Sequence, residues 1–309
     1  MKRRLLQIAV AGFAYAASFS TLGNAQNQLV IEDWNIPPGI AGPDQACSFP
    51  QPILPRVNVA DLSLEGDHLP PADEQHLAAE IKDGEYTGSP DVVKGEMVER
   101  ARAAWMDHGY FEPVAEGEVK VLTSSPVSER VAVTIRIRAG QQYRLGWIRF
   151  ANNHAIRNLK ALRSTFAVHD GDIFDREKIA QGLEDLRKLY GDLGYINFTS
   201  VPDTQVDANN SVVNLLIDVD EGKQFYISNI DTAGLDESAS QAVLKDALQK
   251  RGDLYNRQLM TLSLQRYAAW LRPGVAQESR IRLRPDERTG TVAVTFDFQP
   301  CPPDAQPAQ

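Results

Sequence analysis

The chain has 309 residues, 24% of them charged, with a formal net charge of −9. Losing the basic start described next (Lys2, Arg3 and Arg4, with no acids among the first 25 residues) would leave −12. An acidic balance argues against nucleic acid as a main partner, because phosphate contacts need a basic footprint.

Residues 1–25 read as a secretory signal peptide. Lys2, Arg3 and Arg4 precede a run of mostly small and apolar residues from Leu5 to Ala17, and Gly23-Asn24-Ala25 offers a small-x-small cleavage site. The run falls short of the roughly 20 residues a bilayer-spanning helix needs. The mature chain is expected to start near Gln26 and to be exported. Residues 26–55 carry Pro37, Pro38, Pro43, Pro50, Pro52 and Pro55 without periodicity, as an extended lead-in does. Cys47 lies here, and Cys301 lies in the matching Pro/Gln tail of residues 299–309. Export permits a disulfide between them, while tails leaving opposite ends of a row of modules would favour intermolecular bridging or thiols.

Three units are expected between these tails, at 56–141, 142–223 and 224–298. The first opens with a strand at Val57–Leu64. Ser89 as N-cap and Pro90 at the first helical position then start a long helix with Val98, Ala101 and Trp105 on one face, stopped at Gly109-Tyr110. Strands at Val114–Leu122 and Val131–Ile137 close the unit. In the second, Tyr143–Phe150 alternates as a strand, and Leu159, Leu162 and Phe166 mark a short helix. Asp175 caps a long helix with the stripe Ile179, Leu183, Leu186, Tyr190, Leu193, and Gly194 ends it. Strands Phe198–Val206 and Val212–Val219 follow, joined by a polar turn. The third keeps an Asn256 cap and the stripe Met260, Leu264, Tyr267, Leu271, then strands at Arg280–Arg284 and Val292–Phe298.

Matched punctuation ties the units together. Gly171-Asp172-Ile173-Phe174-Asp175-Arg176 returns 81 residues later as Gly252-Asp253-Leu254-Tyr255-Asn256-Arg257, and Gly109-Tyr110 returns 85 residues later as Gly194-Tyr195. A period of about 80 residues means a row of small modules rather than one large core. Pro202 falls inside the fourth element of the second unit, and Pro113 and Pro285 flank its equivalents. Proline cannot serve two neighbours, so these are edge strands. The nearly continuous apolar run from Val212 to Ile217 reads as the buried centre of its sheet. Each unit is thus an α+β module, β-α-α-β-β, with a three-stranded mixed sheet and two helices on one face.

The chemistry of such a chain lies at its open edges, where an added peptide strand can satisfy the outward amides and carbonyls. The candidate residues are Val119 and Val121 in the first unit and Thr199, Val201 and Thr204 in the second, with Val201 read as an outward donor. Arg280, Arg282 and Arg284 alternate with Ile281 and Leu283, and read as a ladder on one side of a strand that faces an acidic partner or lipid headgroups, or guards an edge against aggregation. The five histidines lack metal-ligand spacing, and of the carboxylates Asp218, Asp220 and Glu221, strand alternation puts Asp218 and Asp220 on one exposed face, as no catalytic cluster requires. No nucleophile elbow, phosphate-binding loop or dinucleotide fingerprint occurs. No enzymatic activity, metal or cofactor is expected.

The run Gly171-Asp172-Ile173-Phe174, the helix through Leu189-Tyr190 and Leu193-Gly194-Tyr195-Ile196, and the two strands ending Val219-Asp220-Glu221-Gly222 resemble the polypeptide-transport-associated (POTRA) domain. The likeness extends to 56–141 and, more weakly, 224–298. It implies a periplasmic scaffold near the outer membrane, binding an outer-membrane barrel protein or unfolded outer-membrane precursors by strand addition. The alternative it leaves is a structural subunit docked permanently to a separate barrel or envelope complex. A membrane barrel, which needs at least eight strands of about 10 residues, has no room in the 11 residues after the last strand. A stand-alone array or half of a split system is therefore expected.

Overall fold

The structure is a computed structural model and describes residues 55–271 and 277–299. The expected signal peptide and nearly all of the expected lead-in, with Cys47, Cys301 and residues 300–309, lie outside the described residues.

Three sheets follow one another along the chain. The first module contains β1 (Arg56–Gly66), α1 (Pro71–Asp83), the two-residue β2 (Tyr86–Thr87), α2 (Pro90–Asp107), β3 (Val114–Ser124) and β4 (Ser128–Arg138). The second contains β5 (Arg144–Ala151), α3 (Leu159–Arg163), α4 (Arg176–Gly191), β6 (Thr199–Asp207) and β7 (Val212–Asp220). The third contains β8 (Tyr226–Ala233), α5 (Glu237–Asp246), α6 (Arg257–Gln265), β9 (Ile281–Asp286) and β10 (Thr291–Asp297), with short 3-10 turns at Ala268–Trp270 and Gln277–Arg280.

Strand orders are β2-β1-β4-β3, β5-β7-β6 and β8-β10-β9. The last strand is central each time, parallel to the first strand and antiparallel to the one before it. The mixed α+β plan is thus present three times. The first sheet departs from it by a fourth strand, because β2 pairs Tyr86 and Thr87 with Val57 and Arg56.

The helices start where the capping residues dictate. Ser89, Asp175 and Asn256 each accept a hydrogen bond from the amide three residues on, at Val92, Lys178 and Leu259. Both long helices stop in a Schellman turn. Gly109 and Gly194 take φ of +84° and +85°, and the amides of Tyr110 and Tyr195 reach back to the carbonyls of Trp105 and Tyr190 at 3.1 Å. The third module differs from the expectation of a helix through Leu271. There α6 ends at Gln265, and the chain tightens so that Trp270 tilts against Tyr267 (4.7 Å) and Phe298 (6.2 Å). Tyr267 and Leu271 still join the core.

In the first module, Val93, Met97, Ala101 and Trp105 form the buried stripe of α2, and Val131, Val133, Ile135 and Ile137 alternate inward along β4. Each large side chain so covered contributes about 1.5–3 kcal/mol. Val98, expected in that stripe, packs at its margin. Among the described residues the chain divides into two compact units, residues 55–187 with 199–220 and residues 188–198 with 221–299. The division crosses α4 near Lys188, so that helix's last turn groups with the third module's residues.

Candidate functional site

Each sheet has two edges of unequal character. Beyond the first strand, β2 covers β1, and single bridges at Arg144↔Ile173 and Tyr226↔Leu254 stand in the equivalent place beside β5 and β8. The opposite edge belongs to β3, β6 and β9, which have no further strand beside them among the described residues.

Backbone groups of successive residues point to opposite sides of a strand, so the pairing register says which amides face outward. The carbonyl of Ile137 accepts from Asp67 at 3.0 Å on the β1 side, so its partner Ala115 turns away from β4. Ala115, Gly117, Val119 and Val121 then carry the outward amides of β3. In β6, Pro202 pairs with Ile217 and must itself occupy an outward position, since a proline cannot donate to the ladder. The outward donors there are Ser200, Thr204 and Val206. Thr199 and Val201 direct their amides to β7, which corrects the reading of Val201 as an outward donor: its side chain is 63% exposed, but its amide belongs to the sheet. Pro285 removes the same donor from β9, leaving Ile281 and Leu283.

β3 is therefore the long uninterrupted edge, 11 residues without proline, bent by an irregularity between Val121 and Thr123. Val119 packs partly into the core, and Val121 and Leu122 stand exposed beside the edge. The face of this sheet away from the helices is ionic. Arg136 on β4 reaches Glu65 on β1 at 3.0 Å and Glu118 on β3 at 2.7 Å, and Arg138 reaches Glu116 at 3.4 Å. The Arg136 hydrogen bond and charge hold the Glu118 carboxyl below its usual range. This face is solvated and tied to itself, whereas the outward amides of the sheet lie along the β3 edge.

The second sheet carries a feature missed in the sequence. Arg149 lies over the ring of Trp147 at 4.3 Å, a cation–π contact between residues two apart on β5, just past an irregularity between Leu145 and Ile148. Alternation of β5 already places Trp147 and Arg149 on one face; what it could not show is that the irregularity separates them from the buried Leu145 and sets them opposite the buried Ile148.

The arginines of β9 do not form one exposed ladder. Arg280 closes the 3-10 turn rather than joining the strand, is 3% exposed and donates to the Gln299 carbonyl at 2.8 Å. Arg282 pairs with the buried Asp297 at 3.4 Å, and only Arg284 is exposed. Arg280 drops out because the strand begins one residue later than the alternation suggests, while Arg282 and Arg284 keep one face and differ in that Arg282 meets Asp297.

The repeated motifs meet where one module follows another. Tyr143 donates to the Gly109 carbonyl at 2.8 Å, and Phe225 to the Gly194 carbonyl at 3.0 Å. Arg176 Nε lies 3.1 Å from Asp107, and Arg257 Nε 3.6 Å from Asp192. Burial pushes the Asp107 carboxyl up, against the opposing pull of Arg176.

Residues 143–222 match the family model described as POTRA, surface antigen variable number repeat. A Treponema pallidum (strain Nichols) protein named for outer-membrane protein assembly is 25% identical over 220 residues, 66% of this chain and 26% of the relative. The outer membrane protein assembly factor BamA of Neisseria meningitidis serogroup B is 24% identical over 199 residues, 60% of this chain and 25% of the relative. The alignments thus span about a quarter of these relatives' length. The crystal structure of POTRA3-5 of Haemophilus influenzae BamA superposes with a TM-score of 0.61 at 20% identity, covering 79% of this chain and 96% of that one. Residues 143–222 thus match the POTRA model, and over 79% of its length the chain shares the fold of POTRA modules.

Proposed function

We propose that this chain is a non-enzymatic periplasmic scaffold of outer-membrane protein assembly, and that it binds extended polypeptide segments along the β3 edge of its first module. The observation that carries the reading is the unbroken row of outward amides from Ala115 to Val121, beside exposed Val121 and Leu122. A strand added there gains main-chain hydrogen bonds without depending on client sequence. Val206, Thr204 and Ser200 offer a second, interrupted edge that gives weaker sites of the same kind, and tethered sites raise the effective concentration of a client. The relatives' role in outer-membrane protein assembly supports the choice of client.

Photocrosslinking in cells from Leu122, with mass spectrometry of the captured proteins, tests the reading. Many outer-membrane precursors are expected. One dominant barrel protein at fixed stoichiometry would replace client handling with permanent docking. No product from a folded, exported chain would remove the β3 edge as the binding surface.

A further inference from the structure

The two motifs that repeat most closely, Gly-Asp-x-aromatic-Asx-Arg and Asp-x-Gly-Tyr, are not explained by an open edge. Both lie where modules meet, and their contacts recur position by position. On one side is the end of a long helix: Asp107-His108-Gly109-Tyr110 for α2 and Asp192-Leu193-Gly194-Tyr195 for α4. On the other side is the face of the following module formed by the start of its first strand and the loop before its long helix.

Each of five contacts has a counterpart. Gln142 Nε2 donates to the His108 carbonyl at 2.8 Å, and Gln224 Nε2 to the Leu193 carbonyl at 3.0 Å. The next residue, Tyr143 or Phe225, donates its amide to the glycine carbonyl. Its own carbonyl accepts from Phe174 at 3.0 Å or Tyr255 at 2.9 Å, which fixes the loop. Ile173 or Leu254 then packs on the glycine: an added Cβ would come within 2.7 Å of Ile173 Cγ2 at Gly109, and within 2.9 Å of Leu254 Cδ1 at Gly194. The arginine after the helix cap, Arg176 or Arg257, meets the aspartate two residues before that glycine. Phe111, edge-on to Tyr143 and Phe174 at 6.1 and 6.0 Å, closes the first set, and Ile196 packs against the third module's core in the second.

We propose that these contacts form one module-docking latch used twice: a socket at a helix end, Asp-x-Gly, which takes the face of another POTRA-type module bearing Gln-aromatic and Ile/Leu-aromatic-Asx-Arg. The Asp–Arg pair is its specificity contact. The first module carries Thr87-Gly88-Ser89-Pro90 where the plug residues stand in the other two, with neither the aromatic ring nor the arginine. It presents a socket and no plug, so the latch gives the row a direction.

Hydrogen exchange of single amides in the full chain tests this, because the Tyr143 amide is held by a junction carbonyl rather than by its own sheet. The Tyr143 amide is expected to be protected. Arg176→Ala should speed its exchange at least tenfold while the Val133 amide in the first sheet keeps its rate, and the exchanged pair Asp107→Arg with Arg176→Asp should restore protection. The proposal is overturned if Tyr143 exchanges at the unprotected rate in the parent, if Arg176→Ala leaves it unchanged, or if the exchanged pair fails to restore protection in a chain whose sheet amides stay slow.

Discussion

Gly109 shows how much can rest on a missing side chain. Its φ of +84° is a region in which any Cβ is strained, and the same Cβ would also approach the Tyr143 carbonyl oxygen to 2.8 Å. Gly109→Ala should therefore cost about 1–3 kcal/mol, read from urea unfolding followed through Trp105. Asp107 and Arg176 are each about a quarter exposed (25% and 28%), so their pair is worth less than a fully buried one. Arg176→Ala leaves Asp107 partly buried without that partner and should cost about 1–2 kcal/mol. Tyr267 gives a pH-dependent case. Its hydroxyl donates to Asp246 at 2.8 Å, and burial together with that carboxylate pushes the phenol up to about 12. A phenol raised in the fold stabilises fully below its unfolded value of about 10, and that stability is lost as pH rises from there through about 12. The third module should weaken over this alkaline window, and Tyr267→Phe should flatten the dependence in denaturant melts taken at successive pH values.

At the scale of elements, the edges separate by the direction of their amides. Val121→Pro removes an outward donor from β3 at an exposed position and should leave far-UV circular dichroism and melting nearly unchanged while weakening peptide capture. Lys120→Pro removes a donor aimed at β4 and should cost about 1–3 kcal/mol, with binding lost only as the fold is lost. Equal effects of the two substitutions would show that direction does not matter at this edge. The elements themselves were largely legible: caps at Ser89, Asp175 and Asn256, stops at Gly109 and Gly194, and proline-marked edges all rest on local chemistry. The length of α6 was not, because the residues after Gln265 are placed by Phe298 and Asp246, which arrive from elsewhere in the chain. Nor was the separation of Trp147 and Arg149 from the buried Leu145, which depends on a local irregularity in strand pairing.

At the scale of the molecule, the first and third modules hold separate apolar clusters. Met97→Ala, at a fully buried position of the first cluster, should cost that module about 2–5 kcal/mol and leave the exchange of Val294 in the third unchanged. Transfer of the loss to Val294 would mean that the cores unfold as one. What the sequence by itself determined was a row of β-α-α-β-β modules, their caps and stops, and which strand lies at each edge, because periodicity, glycine and proline act within a few residues of themselves. The tertiary structure decided which amides of an edge face solvent, that Arg280 and Arg282 are used internally, and that the repeated glycine and arginine motifs meet across a junction. Those outcomes depend on register and on contacts between residues from 19 to 69 positions apart, and composition and spacing along one strand or helix carry no record of them.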